Sequence, residues 1–331
     1  MSDPLKIYKS LADETRLRLI RLLSRGPLNV NEIINIMQMG QSRVSRHLKI
    51  LTEAGLVSAR REGTWIYYEE HHNGDPLIAD TLAHLDAHER ELGFFAEDMQ
   101  GLEGSIESRE EQTKAYFDGL RDPHAFLEHP SLNGEYYRRV ASSLVPDRCG
   151  KLLDMGTGSG LLLPLLLEKA DDLIAVDGSV TMLELARKTA GAGVARCDFR
   201  LGDLEHLPVA DGEVDSVVAC MVLHHVSRPA DVLAEAHRVL KPGGHVAIVD
   251  LHQHNNETLR ERLADLWLGF QPSQMKRWLK GAGFDLVDSK TVDPSSGDPS
   301  SGETSADSSQ PGTADKKTDP LKLITFKGRK T

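Results

Sequence analysis

The sequence predicts a multidomain chain, with an α+β module first and an α/β domain on a mostly parallel sheet after it. Three observations predict this. Residues 5–57 carry four short helix-period patterns, followed by two alternating stretches. Residues 151–290 alternate apolar strands with helical segments. Between these regions, Ile78, Leu85, Leu92, Met99 and Ile106 recur every seven residues.

The first module is read over residues 1–72. Leu5 to Leu11 forms one helical pattern. Leu17, Ile20, Leu22 and Leu23 form a second, entered through the capping-type Asp13 and stopped by Gly26 and Pro27. Val30, Ile33, Ile34 and Met37 form a third, broken by Gly40. Val44, Leu48 and Leu51 form a fourth, ending at Gly55. The stretches LVSARRE and TWIYYEE alternate at period two around Gly63, as a hairpin does. Helix, tight turn, helix and hairpin is the layout of a winged helix-turn-helix. On the fourth helix, Gln41, Ser42, Arg43, Ser45, Arg46, His47 and Lys49 avoid the apolar positions and form a free face. Such a helix enters a major groove, where Gln pairs with adenine and Arg with guanine. Arg60, Arg61 and Thr64 on the hairpin suit phosphate or minor-groove contact. The expected partner is double-stranded operator DNA; the alternative is a merely solvated face. Charge agrees with DNA. Residues 1–72 hold 11 Lys and Arg against 8 acids in a chain of net charge −11, a basic head on an acidic body.

Residues 73–118 are expected to form a helical linker. Phe95 and Leu102 supply intervening apolar positions of the heptad, and Thr81 and His88 occupy them in its first half. Polar seam positions suit a register-setting coiled coil, so a dimerising helix and a homodimer are expected. A helix packed within one chain is the alternative. Gly93, Gly101 and Gly104 weaken the helix by roughly 1 kcal/mol each relative to Ala.

The rest of the chain, residues 119–331, holds the strands LLDMG, LIAVD, ARCDFRLGD, VDSVVACMV, HVAIVD and FDLVDSK, with LKLITFKGRK as the last. Residues 293–319 are Ser-, Gly- and Asp-rich with almost no apolar side chains, and are expected to be a disordered loop between the last two strands. Asp154, Gly156, Gly158 and Gly160 spell D-x-G-x-G-x-G between an apolar strand and the helical stretch LLLPLLLEKA. Glycines there permit a sharp turn and a close ligand approach. A helix N-terminus offers N–H groups to a carboxylate. The dinucleotide spacing G-x-G-x-x-G is absent, because Leu163 stands where its third glycine would fall. Asp177 ends the second strand, where a carboxylate accepts from ribose hydroxyls. Asp203, within Gly202-Asp203-Leu204, follows the third and can accept from an adenine amino group. A lone acid at a strand end is often a helix cap. Three at the carboxyl ends of consecutive strands point to a ligand.

On LLDMGTGSG, IAVDGS, GDLEHLP, VDSVVACMVLHHV and RVLKPGGHVAIVD, residues 150–250 resemble a class I S-adenosylmethionine-dependent methyltransferase, a Rossmann-like fold. The resemblance implies a cofactor-binding set of Asp154, Gly156, Thr157, Gly158, Gly160, Asp177, Gly178, Met182, Gly202, Asp203, Leu204 and Met221. Gly156, Gly158 and Gly160 would border the methionine part, Asp177 the ribose, and Asp203 and Leu204 the adenine. On LADETRLRLIRLLSRGPLNVNEI, SRVSRHLKILTEAGLV and RREGTWIYY, residues 5–70 resemble the ArsR family of winged-helix repressors. Metal-sensing members carry a Cys-x-Cys type cluster ahead of the recognition helix. This module has no Cys, and the adjacent His71 and His72 cannot readily close a tetrahedral site alone, so no metal site is expected.

Cys149, Cys197 and Cys220 are placed on different strands and should not meet, which argues against arsenic methylation. An amino-methylation motif is missing where CMVLHH stands. His224 and His225 are the evident base candidates, and no catalytic residue is assigned. The fusion resembles S-adenosylhomocysteine-responsive repressors of methionine-cycle genes. That resemblance implies a sensor whose effector is S-adenosylhomocysteine or S-adenosylmethionine; the alternative is an active methyltransferase on a small molecule with a fused DNA module. No apolar run approaches the roughly 20 residues of a membrane span. The opening MSDPLKIYKS lacks a signal-type apolar core, so a cytoplasmic protein is expected.

Overall fold

The computed structural model describes residues 3–62, 65–71, 75–91, 93–122, 132–256, 259, 263–294 and 321–331. They fall into two compact units, one over Met1–Glu111 and one over Gln112–His254 and Thr258–Thr331.

The first unit contains α1 (Pro4–Leu11), α2 (Glu14–Ser24), β1 (Leu28–Asn29), α3 (Val30–Met37), α4 (Gln41–Glu53), β2 (Val57–Glu62) and β3 (Trp65–Glu70). The helices start where the capping chemistry puts them. The Asp13 side chain accepts from the Arg16 N–H, and Asn29 forms a reciprocal capping box with Glu32. The apolar faces of α2, α3 and α4 meet in one core that includes Leu19, Leu22, Ile33, Val44, Leu48 and Leu51. β2 and β3 pair antiparallel as the expected wing, from Val57 opposite Glu70 to Glu62 opposite Trp65. β1 adds a third strand, with Leu28 opposite Tyr68. Two residues are too few to show a period, so sequence reading missed it.

The heptad region departs from expectation. It is two helices, α5 (Pro76–Ala87) and α6 (Phe95–Gly119), separated by a single 3-10 turn at Glu89–Glu91 and a left-handed Phe94 with φ 59°. Leu92 lies outside the described residues. Ile78, Leu82 and Leu102 are buried in the same core as α4, and Leu85, Met99 and Ile106 pack against it. The seven-residue spacing is therefore not one continuous seam, and much of it is consumed within the chain. Ionic contacts explain why α6 folds back onto this core. Asp98 is fully buried and accepts from Arg18 Nε at 2.9 Å and Nη2 at 2.6 Å, and also from Arg21 Nη2. Arg109 Nε donates to Glu32 Oε1 at 2.7 Å. Gly101 fits directly against Ile36, whose Cα would lie 3.2 Å from an added Cβ. This glycine serves close helix packing.

The second unit is a seven-stranded sheet. In chain order its strands are β4 (Cys149–Met155), β5 (Ala170–Asp177), β6 (Cys197–Leu201), β7 (Val214–Cys220), β8 (Leu240–Leu251), β9 (Phe284–Val292) and β10 (Leu323–Lys330). Their order across the sheet is β6-β5-β4-β7-β8-β10-β9. Pairs from β6 to β8 are parallel, and β10 runs antiparallel between β8 and β9. Parallel strands of this kind are covered on both faces. Here two cores form, and α7 (Gly134–Leu144), α9 (Val180–Ala190), α10 (Pro229–Val239) and α11 (Pro272–Gly281) contribute to them. The helix expected over LLLPLLLEKA is only α8 (Leu163–Leu167), because β5 already begins at Ala170. The expected floppy loop at 293–319 falls almost wholly outside the described residues. Strand order reverses at β4, between β5 and β7, and open parallel sheets bind ligands at such a point. Among the described residues, no helix is long and apolar enough to cross a membrane.

Removing Asp98 strands two buried or half-buried guanidinium groups. Asp98→Ala is expected to destabilise the first unit by about 3–5 kcal/mol, read as faster hydrogen exchange at the α2 and α4 amides. Unchanged exchange at those amides would show that the ion cluster does not hold α6 in place.

Candidate functional site

β4 delivers the chain into the glycine turn at the sheet's carboxyl edge. Gly156, Gly158 and Gly160 have φ of 70°, 53° and 78°, the left-handed region that side chains disfavour. The turn is tied to β5, since the N–H groups of Gly156 and Thr157 both donate to the Val176 carbonyl. The glycines serve different ends. A Cβ at Gly156 would lie 2.2 Å from Val222 Cγ2, and one at Gly160 would lie 2.7 Å from Ala186 Cα, so these two permit packing. Gly158 has no atom within 4 Å of that position and opens onto space a ligand can enter.

Asp177 closes the turn from the neighbouring strand. Its Oδ2 accepts from the Gly158 N–H at 2.8 Å and its Oδ1 from the Ser179 N–H at 2.9 Å. Each oxygen keeps a further lone pair for a ribose hydroxyl. Asp154 lies beneath the turn at 2 % exposure. Its Oδ2 and the Thr157 Oγ1 are both buried, with the Thr157 hydroxyl set against the Asp154 carboxyl. Burial pushes the Asp154 carboxyl up to about 7 and that of Asp177 up to about 6. Open space at Gly158 and a buried polar pair close to it fit an incoming polar ligand.

The rest of the expected set lies around this turn. The Gly202 N–H donates to the Asp177 carbonyl at 3.1 Å, joining the β6 end to it. An added Cβ at Gly202 would strike Pro208 at 2.5 Å. Asp203 is exposed, and its Oδ1 accepts from the Glu205 N–H at 2.9 Å. Leu204 is buried, and Gly178 is exposed. Met182 is fully buried in α9, and its N–H is capped by Ser179 Oγ. Met221 follows β7 with φ 55°, an uncommon conformation for a side-chain-bearing residue.

On α4, Gln41, Ser42, Arg43, Arg46 and Lys49 are exposed and Ser45 is partly so. His47 differs from the expected free face. It turns inward, with Nδ1 3.6 Å from Asp13 Oδ1, because it sits three residues beyond the buried Val44. Burial lowers its pKa and favours the neutral ring. On the wing Arg60 is partly buried and Arg61 exposed. Thr64 lies outside the described residues.

Two groupings escaped the sequence. Asp118, in the last turn of α6, accepts from Ser179 Oγ at 2.5 Å, and its carbonyl accepts from Thr181 Oγ1 at 3.3 Å. No local motif marks Asp118. The second grouping surrounds His224, whose Nδ1 lies 2.6 Å from Asp250 Oδ1. Burial alone would depress the His224 imidazole, but Asp250 and Asp265 outweigh it and raise it to about 9. Burial and the neighbouring His224 push His225 well below its ordinary value. The adjacent histidines were visible, but Asp265 arrives from a distant segment.

The fold defines a winged helix-turn-helix module followed by an α/β domain with a glycine turn at the carboxyl edge of its sheet. Comparison with known proteins agrees. A model of the bacterial regulatory protein arsR family matches residues 13–59, and a methyltransferase domain model matches residues 153–248. The arsenical resistance operon repressor of Escherichia coli is 42% identical over 66 residues, 20% of this chain and 56% of the repressor. An uncharacterized methyltransferase of Mycobacterium tuberculosis is 37% identical over 106 residues, 32% of this chain and 42% of the relative. The chain thus spans about half the length of these curated relatives. A chain from the complex between the Haloferax volcanii Trm112 methyltransferase activator and a methyltransferase matches with TM-score 0.50 at 20% identity. It covers 64% of this chain and 96% of its own, and shows the fold alone. Residues 13–59 are thus similar to the arsR-family regulatory region, and residues 153–248 to a methyltransferase domain.

The raised carboxyls set a pH trend. Asp154 and Asp177 hold their protons more tightly folded than unfolded, where the ordinary value is 3.8. Their contribution is full below about pH 4 and lost as pH rises through 6 to 7. His224 acts in the same direction, with its contribution present below 6.5 and lost as pH rises through about 9. The Tm of the ligand-free second unit is expected to fall between pH 5 and 8 (bounds set by about these values). Asp154→Asn should flatten that fall, and parallel Tm profiles for variant and wild type would contradict the assignment.

Proposed function

We propose that the chain is a ligand-responsive transcriptional repressor. A homodimer in the cytoplasm binds operator DNA through α4 and the wing. The methyltransferase-like domain senses S-adenosylhomocysteine, with S-adenosylmethionine as a competing ligand, and so controls methionine-cycle genes. Asp177 would hold the ribose, the Gly156–Gly160 turn the amino-acid part, and Asp203 with Leu204 the adenine. When bound, S-adenosylmethionine supplies an electrophilic methyl group, which S-adenosylhomocysteine lacks.

One observation carries the reading. α6 contributes Asp98 and Arg109 to the first unit and Asp118 to the turn that follows Asp177. A ligand hydroxyl on Asp177 changes the charge and hydrogen bonding that Asp118 meets through Ser179. A signal requires only that the ligand bind the DNA-free arrangement more tightly than the DNA-bound one.

A second reading, an active methyltransferase on a small metabolite with a fused DNA module, draws on His224. Asp250 orients this imidazole as a base would require. Turnover of labelled S-adenosylmethionine by the full chain, with a metabolite pool as acceptor, separates the two.

Operator fragments selected from genomic DNA supply the direct test. Asp177→Ala is expected to abolish the ligand response while leaving DNA affinity unchanged. Arg46→Ala is expected to weaken DNA binding about 10- to 100-fold while leaving ligand affinity intact. If both variants lose both properties, the division of labour is wrong.

A further inference from the structure

We propose that His224, His225 and Asp265 bind one divalent transition-metal ion of the zinc class, with Asp250 orienting His224 from behind. This goes beyond the regulatory reading and does not depend on it. The site contains no Cys, and the sequence marks only its adjacent His224 and His225, not Asp265.

The geometry is that of a three-ligand centre. One coordinating atom from each residue lies within 4.8 Å of the other two. His224 Nε2 and His225 Nδ1 are each 3.8 Å from Asp265 Oδ1. Ligands around a tetrahedral zinc-like ion stand about 3.3 Å apart, from bonds of about 2.0–2.1 Å. Closing that gap takes small side-chain rotations. The ion would be held by two nitrogens and one oxygen, a set that suits Zn(II) or Co(II) and disfavours calcium and magnesium, which take oxygen ligands. Three protein ligands leave a fourth position for water or another donor.

The surroundings fix the ligands before any ion arrives. His224 and His225 lie on a single 3-10 turn, Leu223–His225, and their rings are 4.1 Å apart. The distant segment carrying Asp265 is stapled to that turn. The Leu266 and Trp267 N–H groups both donate to the His224 carbonyl, at 2.9 and 3.0 Å, and Trp267 Nε1 donates to the Val226 carbonyl at 2.8 Å. Ala264, immediately before Asp265, sits at φ 57°, a strained backbone position for a non-glycine residue. Asp250 is fully buried and accepts from the Leu223 and Leu251 N–H groups. Its 2.6 Å contact with His224 Nδ1 places the proton there and leaves Nε2 as the coordinating nitrogen. His225 Nδ1 lies 3.3 Å from the Ala264 carbonyl and donates to it without an ion, so coordination through Nδ1 breaks that hydrogen bond and moves the proton to Nε2.

Charge supplies the need for a cation. His224, Asp250 and Asp265 are each at most 3 % exposed. Coordination through Nε2 leaves His224 neutral, and a divalent ion then balances the charge of the two carboxylates beside it. An ion bound there would claim the His224 Nε2 lone pair, making His224 a ligand instead of a base.

The test uses the full-length, tag-free chain, stripped with chelator and then given Co(II) or Zn(II). One ion per chain is expected to survive gel filtration, and Co(II) is expected to show the visible bands of a low-coordinate nitrogen–oxygen site. Asp265→Asn and His225→Ala should each lower affinity by at least about 10-fold and remove those bands, and Asp250→Asn should lower affinity about 10- to 100-fold. His84 on α5 and His88 just beyond its end have ring centroids 4.5 Å apart and are the competing pair. The His84→Ala/His88→Ala variant should keep the ion. Asp265→Asn preserves side-chain size, so it decides the matter even if His225→Ala does not fold. No retained ion in the wild type, or full retention in Asp265→Asn, overturns the proposal.

Discussion

The Asp177 carboxylate accepts from the Gly158 and Ser179 N–H groups, and the second unit's ligand chemistry depends on this clamp. It joins the end of β5 to the turn leaving β4, the two strands beside the point where sheet order reverses. Gly158 must be left-handed for its N–H to reach Asp177, and it must lack a side chain for the cradle to stay open. Ser179 must lie beside Asp177 for its hydroxyl to meet Asp118. One carboxylate thus ties a ligand surface to the last turn of α6.

Burying two acids near one another is unfavourable unless something compensates. Asp154 and Asp177 meet that demand differently. Asp177 is held by backbone N–H groups, whereas Asp154 is met by the Thr157 hydroxyl. The first unit shows the opposite strategy. Asp98 is completely buried, yet two arginines satisfy it. That contrast separates the ion cluster that holds α6 from the open glycine turn.

Much of this was legible because the signals are local. Asp13 and Asn29 are caps whose chemistry acts within one turn. The strands of the sheet are short apolar runs, and their acids stand at their ends. The heptad left a partner and the chain's own core as alternatives, because apolar spacing records a buried helix face and not what buries it. Ile78 and Leu102 would show the same spacing against a partner as against α2 and α4. His47 looked free on a helical wheel, yet it is partly buried and lies against Asp13, thirty-odd residues earlier. Asp118 and Asp265 carry no motif, because their meaning comes from folds of chain far from Ser179 and His224.

Calorimetric titration of S-adenosylhomocysteine into the folded, full-length chain tests the cradle most directly. The account predicts saturable heat with one ligand per chain, lost when Gly158 is replaced by Val. Absence of heat from the wild type, or undiminished binding by Gly158→Val, would contradict it.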